Sequence, residues 1–385
     1  GANQVFEDKT TYTCLLILNK TSQKTFQYAE VKSLKSWKVR EPEAVKYTSK
    51  KTEELDNEVW VLVPPELTNA YNNIIAQSSK LIALVGSENI FNGIQTSAND
   101  IYIFIPTKED AKHYYFSKKG VDYKIEKAIT KPYFQTSSGE DNLYTYRTFK
   151  PNARVVYPYQ NTKKGIDVIP LTEIQMKYPL AFGYLQKHKA NLNNPKRDIK
   201  PEPTTANEWH RFGRQQGLSI SDKKEKIILG VLSSGDKYAI DNYGTLFTSG
   251  GTAGYCAITM PDNFDYSTYY IQAILNSKYV EWFVILTGEV FRGSYFARGT
   301  KVLNNLPIRI IDFANATEKA LHDKIVETQK ELIRIQDQID VNVGNKRTLT
   351  PLQGQFTREK LLAKLYDLGD DDLLIPLIKD LYETN

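Results

Sequence analysis

A chain of 385 residues, 41% hydrophobic and 25% charged, is long enough to bury a full core and to hold two or three structural units. A formal charge of +5, with a sequence pI of 8.7, leaves a polyanion unrepelled without requiring one. No run approaches the roughly 18 apolar residues of a membrane span, and the mean hydropathy of -0.46 excludes a membrane chain. Cys14 and Cys256, far apart and each in an apolar run, read as buried thiols in a reducing cytoplasm rather than as a disulfide framework. No signal peptide opens the chain, and Gly1-Ala2 reads as an expression scar, which places the natural start upstream.

In chain order, Tyr12 to Leu18 is a compact apolar run expected as a buried strand. Asn19 to about Glu58 is polar and reads as a linker. Val59 to Val63 is a second expected strand, halted by Pro64-Pro65, and Tyr71 to Val85 has helical spacing before Gly86. Short strands then follow at Ile101 to Ile105, Tyr144 to Tyr146, Arg154 to Tyr159 and Ile227 to Leu232. Turns at Gly139, Gly165, Gly235-Asp236, Asp241 to Gly244 and Gly250-Gly251 separate them. Tyr178 to Leu192 reads as a helix, and the loop Asn193 to Thr205 after it is kept irregular by Pro195, Pro201 and Pro203. Tyr269 to Leu286 is a strongly apolar helix. Leu321, Ile325, Thr328, Leu332, Ile335 and Ile339 recur at heptad spacing, a seam for a partner helix or for the body. Beyond Gly344, Thr357 is an expected N-cap for Arg358 to Leu368, and Asp370 to Asp372 cap a last helix from Leu373, with Pro376 in its first turn. The fold class is α+β: a strand-rich mixed unit with helices, followed by a small helical C-terminal segment.

Trp209-His210-Arg211-Phe212-Gly213-Arg214-Gln215-Gln216 concentrates aromatic, guanidinium and amide groups around one glycine. An arginine fork fits a phosphate or the O6/N7 edge of guanine, and a glutamine fits the N6/N7 edge of adenine. A solvated turn pinned by Trp209 and Phe212 is the plainer alternative. From His188 to Arg214, Lys189, Lys196, Arg197, Lys200, Arg211 and Arg214 outnumber Asp198, Glu202 and Glu208, a composition that can follow a phosphate backbone. Phe291 to Lys301, with Arg292, Tyr295, Arg298 and Lys301, is a second basic and aromatic segment, or else a surface turn held by Phe291 and Phe296.

Searches for enzymatic chemistry fail. His113, His188, His210 and His322 are scattered, so no metal-ligand spacing exists, and neither a Gly-x-Ser-x-Gly elbow nor a Walker loop appears. Pro261-Asp262 has no Glu-x-Lys after it to complete a nuclease site. An adenine methyltransferase needs an Asn/Asp-Pro-Pro-aromatic loop, and Pro64-Pro65 lies between Val63 and Glu66. The chain is therefore expected to hold no catalytic residue, no cofactor and no metal of its own.

Several segments in order carry a resemblance. They are Val5 to Asp8 with Tyr12 to Lys20, Gly93 to Asp100, Lys131-Pro132 with Tyr157 to Tyr159, Tyr184-Leu185 to Arg197 with the Trp209 stretch, Leu275 to Lys278, and Leu303 to Ile308. Together they resemble the carboxy-terminal portion of type II and type IIG adenine-specific DNA methyltransferases of restriction-modification systems, the part with the target recognition domain. The resemblance implies a residual edge strand of the catalytic domain and a linker over 1–58, a DNA target recognition domain over 59–310, and a helical segment over 311–385. It implies double-stranded DNA as partner, together with a catalytic domain that lies outside this chain and binds S-adenosylmethionine. The DNA-facing residues it implies are Gln95, Thr96, Asn99, Lys189, Arg197, Trp209, Arg211, Arg214, Gln215, Arg292, Tyr295, Arg298 and Lys301. Of these, Trp209 is expected as an anchor, Gln95, Thr96 and Asn99 as turn formers, and Arg211, Arg214 and Gln215 as the exposed readers.

Two rivals stand beside this reading. A stand-alone type I-like specificity subunit would use the heptad helix after Leu306-Pro307-Ile308 as a spacer, although no internal repeat is visible. A protein-interaction module would use a surface rich in the chain's 25 tyrosines.

Overall fold

In the computed structural model of the chain, the described residues are 14–343 apart from 30, 32, 42–44, 56–59, 136–147, 164, 198, 201–205, 220–222, 234–237, 250–253, 289 and 292–294. The expectations at Val5 to Asp8, Gly139, Tyr144 to Tyr146, Gly235-Asp236, Gly250-Gly251, Arg292 and the helices after Thr357 lie outside them, as does the cap at Asp370 to Asp372.

Residues 14–18 form no strand. Leu15, Leu16, Ile17 and Leu18 are open to solvent, and Cys14 is exposed, contrary to expectation. An apolar run becomes a buried strand only when a sheet edge receives it, and none of the described strands pairs with this one. The linker expected after it is structured: β1 (Thr25–Tyr28) pairs antiparallel with β2 (Thr48–Lys51) around α1 (Leu34–Lys38). Ser33 caps α1 by accepting from the Ser36 amide at 3.2 Å.

The strand expected at Val59 to Val63 is irregular over residues 60–64, with Val63 buried, and Val59 lies outside the described residues. The helix expected over Tyr71 to Val85 is divided into α2 (Thr68–Ala76) and α3 (Leu81–Val85) by β3 (Ser78–Lys80). Gly86 at φ 84° ends α3, a left-handed position at which glycine costs nothing, and β4 (Ile90–Asn92) follows.

The next stretch opens with α4 (Asn99–Tyr102), which takes the first half of a run expected as strand and leaves only β5 (Ile103–Phe104) extended. A meander of β6 (Lys108–Glu109), β7 (His113–Lys118) and β8 (Val121–Glu126) is followed by β9 (Thr130–Phe134), β10 (Thr148–Phe149), β11 (Ala153–Val156), and the hairpin β12 (Tyr159–Thr162) and β13 (Gly165–Val168). α5 (Leu171–Lys177), α6 (Pro179–Lys187) and α7 (Lys189–Leu192) pack over this sheet region, with Glu126 of β8 capping α6 through the amides of Leu180 and Ala181 at 2.8 and 2.9 Å.

The last stretch carries β14 (Lys226–Gly230), β15 (Leu232–Ser233), β16 (Ala239–Asp241), β17 (Leu246–Phe247), β18 (Tyr255–Ile258), α8 (Thr268–Leu275), α9 (Lys278–Thr287), β19 (Val290–Phe291), β20 (Tyr295–Ala297), α10 (Thr300–Leu303), β21 (Pro307–Arg309) and α11 (Ala316–Val343). A single helix was expected over Tyr269 to Leu286. It breaks at Asn276-Ser277 because both polar side chains are claimed by the backbone. Asn276 accepts from the Tyr238 amide at 3.0 Å and donates to the Tyr238 carbonyl at 2.9 Å, while Ser277 caps α9.

Two sheets interleave distant sequence. The five-stranded sheet runs β10-β16-β14-β18-β4, and the four-stranded sheet runs β17-β9-β11-β5. One core lies under α2, α8, α9 and α11, a second under α5 to α7, and a smaller aromatic cluster that includes Phe91, Phe134, Phe149, Phe247 and Tyr255 joins strands of both sheets. The α+β reading therefore holds.

The heptad seam of α11 meets its own chain: Ile325 and Leu332 are buried, Gln329 donates to Gln272 of α8 at 3.1 Å, and the His322 ring lies 4.7 Å from Tyr270. The side chains of Ile335 and Ile339 lie outside the described residues.

Cys256 is fully buried and donates to Asn92 at 3.1 Å, and burial pushes its thiol up to about 12. A timed thiol titration of the native chain is expected to show one fast group, Cys14, and a second that appears only on unfolding. Two fast thiols would contradict the packing of β18.

Candidate nucleic-acid interface

Three segments far apart in sequence lie side by side where the two sheets meet. The Gly93 to Thr96 backbone receives the Gly213 amide at Thr96 and the Arg214 amide at Gln95, both at 3.0 Å. On its other edge Ile94 donates to Phe247 and accepts from Ser249, both at 2.9 Å. Gln216 ties all three by donating to the Gly93 carbonyl at 3.1 Å and to Ser249 Oγ at 2.7 Å. Glycine is obligatory at 93, since a Cβ there would lie 2.3 Å from the Phe247 carbonyl oxygen. Gly217 has φ 68°, and a Cβ on it would meet the Asn92 carbonyl oxygen at 2.8 Å.

The stretch from Trp209 to Gly213 is held from beneath. Phe212 is fully buried among Tyr102, Tyr157 and Tyr159, at ring distances of 4.9, 6.0 and 5.0 Å. Each such pair is worth about 0.5–1.5 kcal/mol beyond the area it buries. Tyr159 Oη accepts from the Phe212 amide at 2.6 Å, and Tyr102 Oη donates to the His210 carbonyl at 2.8 Å. Burial pushes the Tyr102 phenol up to about 12, with Arg197 opposing, so it stays a donor. Burial also lowers the His210 pKa, and its Nε2 lies 2.8 Å from the Ile169 carbonyl, which can only accept, so Nε2 carries the proton.

Arg197 is buried at the centre. Its Nη1 donates to the carbonyls of Leu192 and Trp209, both at 2.9 Å, and its Nη2 to those of Thr96 at 3.0 Å and of Arg211. A planar fork with several donors is suited to this, because four carbonyls from three segments converge on one guanidinium.

The DNA-facing residues implied by the resemblance therefore divide. Arg197 is a structural tie rather than a contact to an outside phosphate. Arg211, expected as an exposed reader, is buried and pairs with Glu208 at 3.1 Å, because the turn at residues 208–211 folds its side chain inward. Trp209 is buried, as an anchor should be, with Lys189 over its ring at 5.7 Å. Thr96 is buried and forms the turn, bonding Asn99 Oδ1 at 2.5 Å and accepting from the Ala98 amide at 3.0 Å, while Ser97 adopts φ 55°. Left facing outward are Asn99, Lys189 and Gln215, with Gln95 and Arg214 half-buried.

The second basic segment does not present Arg298. Arg298 is 1% exposed and pairs with Glu281 at 2.5 Å, its backbone amide bonded to Val231 at 2.6 Å. Burial alone would lower its pKa, but Tyr238 and Glu281 beside it outweigh that, so the guanidinium stays charged. β20 pairs with both β15 and β19, which turns Arg298 inward while Tyr295 and Lys301 stay exposed. Arg292 lies outside the described residues.

Gln95 to Asp100 together with Thr248 and Ser249 line an open depression of about 370 Å³. Thr248, Ser249 and the anchoring role of Gln216 escape a reading of the sequence, because strand partners separated by more than 100 residues leave no local signal. Chemically the depression offers the carboxamides of Gln95 and Asn99 and hydroxyls, and Arg214, whose amide bonds the Gln95 carbonyl, and Gln215 follow on the neighbouring segment, all donors or acceptors for a base edge or phosphate. Among the described residues no cluster of His, Cys, Asp and Glu is arranged to hold a metal.

Comparison with known families decides what this site belongs to. Residues 171–308 match the model of the TaqI-like C-terminal specificity domain. The match spans α5 to β21 and so includes the Trp209 stretch, the Asn276-Ser277 break and Leu306-Pro307-Ile308. Both sheets that the matched residues enter also draw strands from before residue 171, namely β4, β5, β9, β10 and β11. The whole chain is 44% identical over 390 residues to the Type II restriction enzyme and methyltransferase RM.Eco57I of Escherichia coli, and it spans 39% of that relative's length. Among solved structures, the Type IIL restriction-modification enzyme MmeI in complex with DNA is similar at a TM-score of 0.44 and 12% identity, over 77% of this chain and 35% of that one. The resemblance of the chain to the carboxy-terminal, target-recognition portion of type II restriction-modification enzymes is borne out.

Proposed function

We propose that this chain recognises a DNA target for an adenine-N6 methyltransferase of a restriction-modification system. The observation that carries this reading is that the specificity-domain match includes the Trp209 stretch, whose backbone is bonded to the Gly93 to Thr96 turn beside the polar side chains of Gln95, Asn99, Arg214 and Gln215. Arg214 and Gln215 read base edges in the major groove, with Gln95 and Asn99 beside them, while Lys189, Tyr295 and Lys301 hold the duplex by its backbone. S-adenosylmethionine and the flipped adenine belong to a catalytic domain in the longer protein, and this chain supplies the site. None of the described helices is long and apolar enough to cross a membrane; the proposed work on DNA is what places the chain in the cytoplasm.

Arg214→Ala and Gln215→Ala are each expected to relax discrimination at one base pair by about 1–3 kcal/mol, with affinity for non-target duplex nearly unchanged. Competition binding against duplexes substituted at each position reads this directly. If both variants discriminate as the parent does, Arg214 and Gln215 do not read the bases.

A further inference from the structure

The positive charge of the chain is concentrated in one place. Between residues 20 and 51 nine Lys and Arg face three Glu, an excess larger than the +5 of the entire chain, so the remainder is slightly acidic. Lys50 and Lys51 are answered by Glu54 and Glu53 at 3.8 and 3.3 Å. Among the described residues no ion pair engages Lys20, Lys24, Lys35, Lys38, Arg40 or Lys46.

This charge sits on the β1-α1-β2 ribbon, and no described residue from 14 to 60 belongs to any of the three cores. The ribbon meets the body where Tyr28 Oη donates to the Leu62 carbonyl at 3.2 Å. α1 buries no residue. Lys35 and Lys38, three positions apart, share a helix face at a Cβ spacing of about 5–6 Å. Arg40, at φ 56°, follows directly, and Trp37, Val39 and Tyr47 are exposed around them.

We propose that the β1-α1-β2 ribbon is a second DNA contact, an arm in which Lys35, Lys38 and Arg40 hold phosphates of the duplex regardless of sequence, with Trp37 against the sugar edge. The proposal rests on the reading of the chain as a DNA-recognition unit. Duplex DNA fits this surface because it presents one negative charge about every 1.7 Å of axis to cations that lack acidic partners. It also answers a need of the reading site, where two of the most prominent arginines, Arg197 and Arg211, are buried in structural roles and cannot supply phosphate affinity. Base contacts specify and phosphate contacts hold, and the ribbon adds to the backbone contacts of Lys189, Tyr295 and Lys301.

The test measures binding of the full chain and of its Lys35→Gln, Lys38→Gln, Arg40→Gln triple variant to a target and a scrambled duplex over a series of salt concentrations. All three side chains are exposed, so the fold is expected to survive, and the melting temperature verifies it. The expected result is a salt dependence shallower by about 2–3 in log Kd against log salt, equal on both duplexes, with the target preference retained; each lost phosphate contact removes about 0.9. An unchanged slope in the variant, with the parent still binding DNA in a salt-dependent way, would overturn the arm and leave the recognition reading standing. No salt-dependent binding by the parent would overturn both.

Discussion

Replacing Arg197 with alanine is expected to cost about 4 kcal/mol of stability and to lower the melting temperature by on the order of 10 °C. Four carbonyls, from Leu192, Trp209, Thr96 and Arg211, lose their donor at once, and buried acceptors left unpaired cost about 1–3 kcal/mol each before the loop relaxes. Arg197→Lys keeps the charge but has no planar fork to reach four acceptors, so it should recover only part of the loss. The two variants also separate structure from contact. If Arg197 held DNA directly, the melting temperature would stay level and binding alone would fall. Thermal unfolding followed by circular dichroism, run beside a binding curve at fixed salt, tells the two apart.

Arg298→Met is expected to be as damaging, at about 3–5 kcal/mol, because it leaves the Glu281 carboxylate charged and buried without its partner. The informative comparison is the double variant Arg298→Met, Glu281→Met. A buried ion pair exchanged for apolar groups of similar volume is often neutral, so the double variant should regain most of the stability lost by the single one. Denaturant melts of the parent, both single variants and the double variant form the cycle. Additive losses in the cycle, or a stable Arg298→Met variant that has lost DNA affinity, would return Arg298 to the DNA surface.

The places where sequence and structure part have physical causes. Gly93 to Asp100 and Trp209 to Gln216 both stood out locally, the first for its turn residues and the second for its mixture of arginine, amide and aromatic groups. That one is bonded to the other was not visible, since the register between Thr96 and Gly213 is set by the packing of two sheets. The burial of Arg197 was hidden for a related reason. Its charge is answered by backbone carbonyls, which no sequence displays, so it reads as one more cation in a basic loop. Arg298 is paired with Glu281 across a helix and a strand, 17 residues apart, again beyond local patterning. Apolar runs misled in two ways. Leu15 to Leu18 carries the hydrophobicity of a buried strand and lies exposed, and Tyr269 to Leu286 carries that of one helix and forms two, because Asn276 and Ser277 are committed to backbone bonds. The turn at Gly86 and the irregular stretch from Asn193 to Arg197 around Pro195 are legible because glycine and proline act through their own backbone limits, independent of tertiary context.

The most direct test of target recognition is selection of a randomised duplex pool on the chain at low and at physiological salt, followed by sequencing of what is retained. Enrichment of one short motif, with binding that weakens as salt rises, is the predicted result. Retention of no DNA at low salt, with the chain folded, would contradict target recognition and favour a protein-interaction module instead.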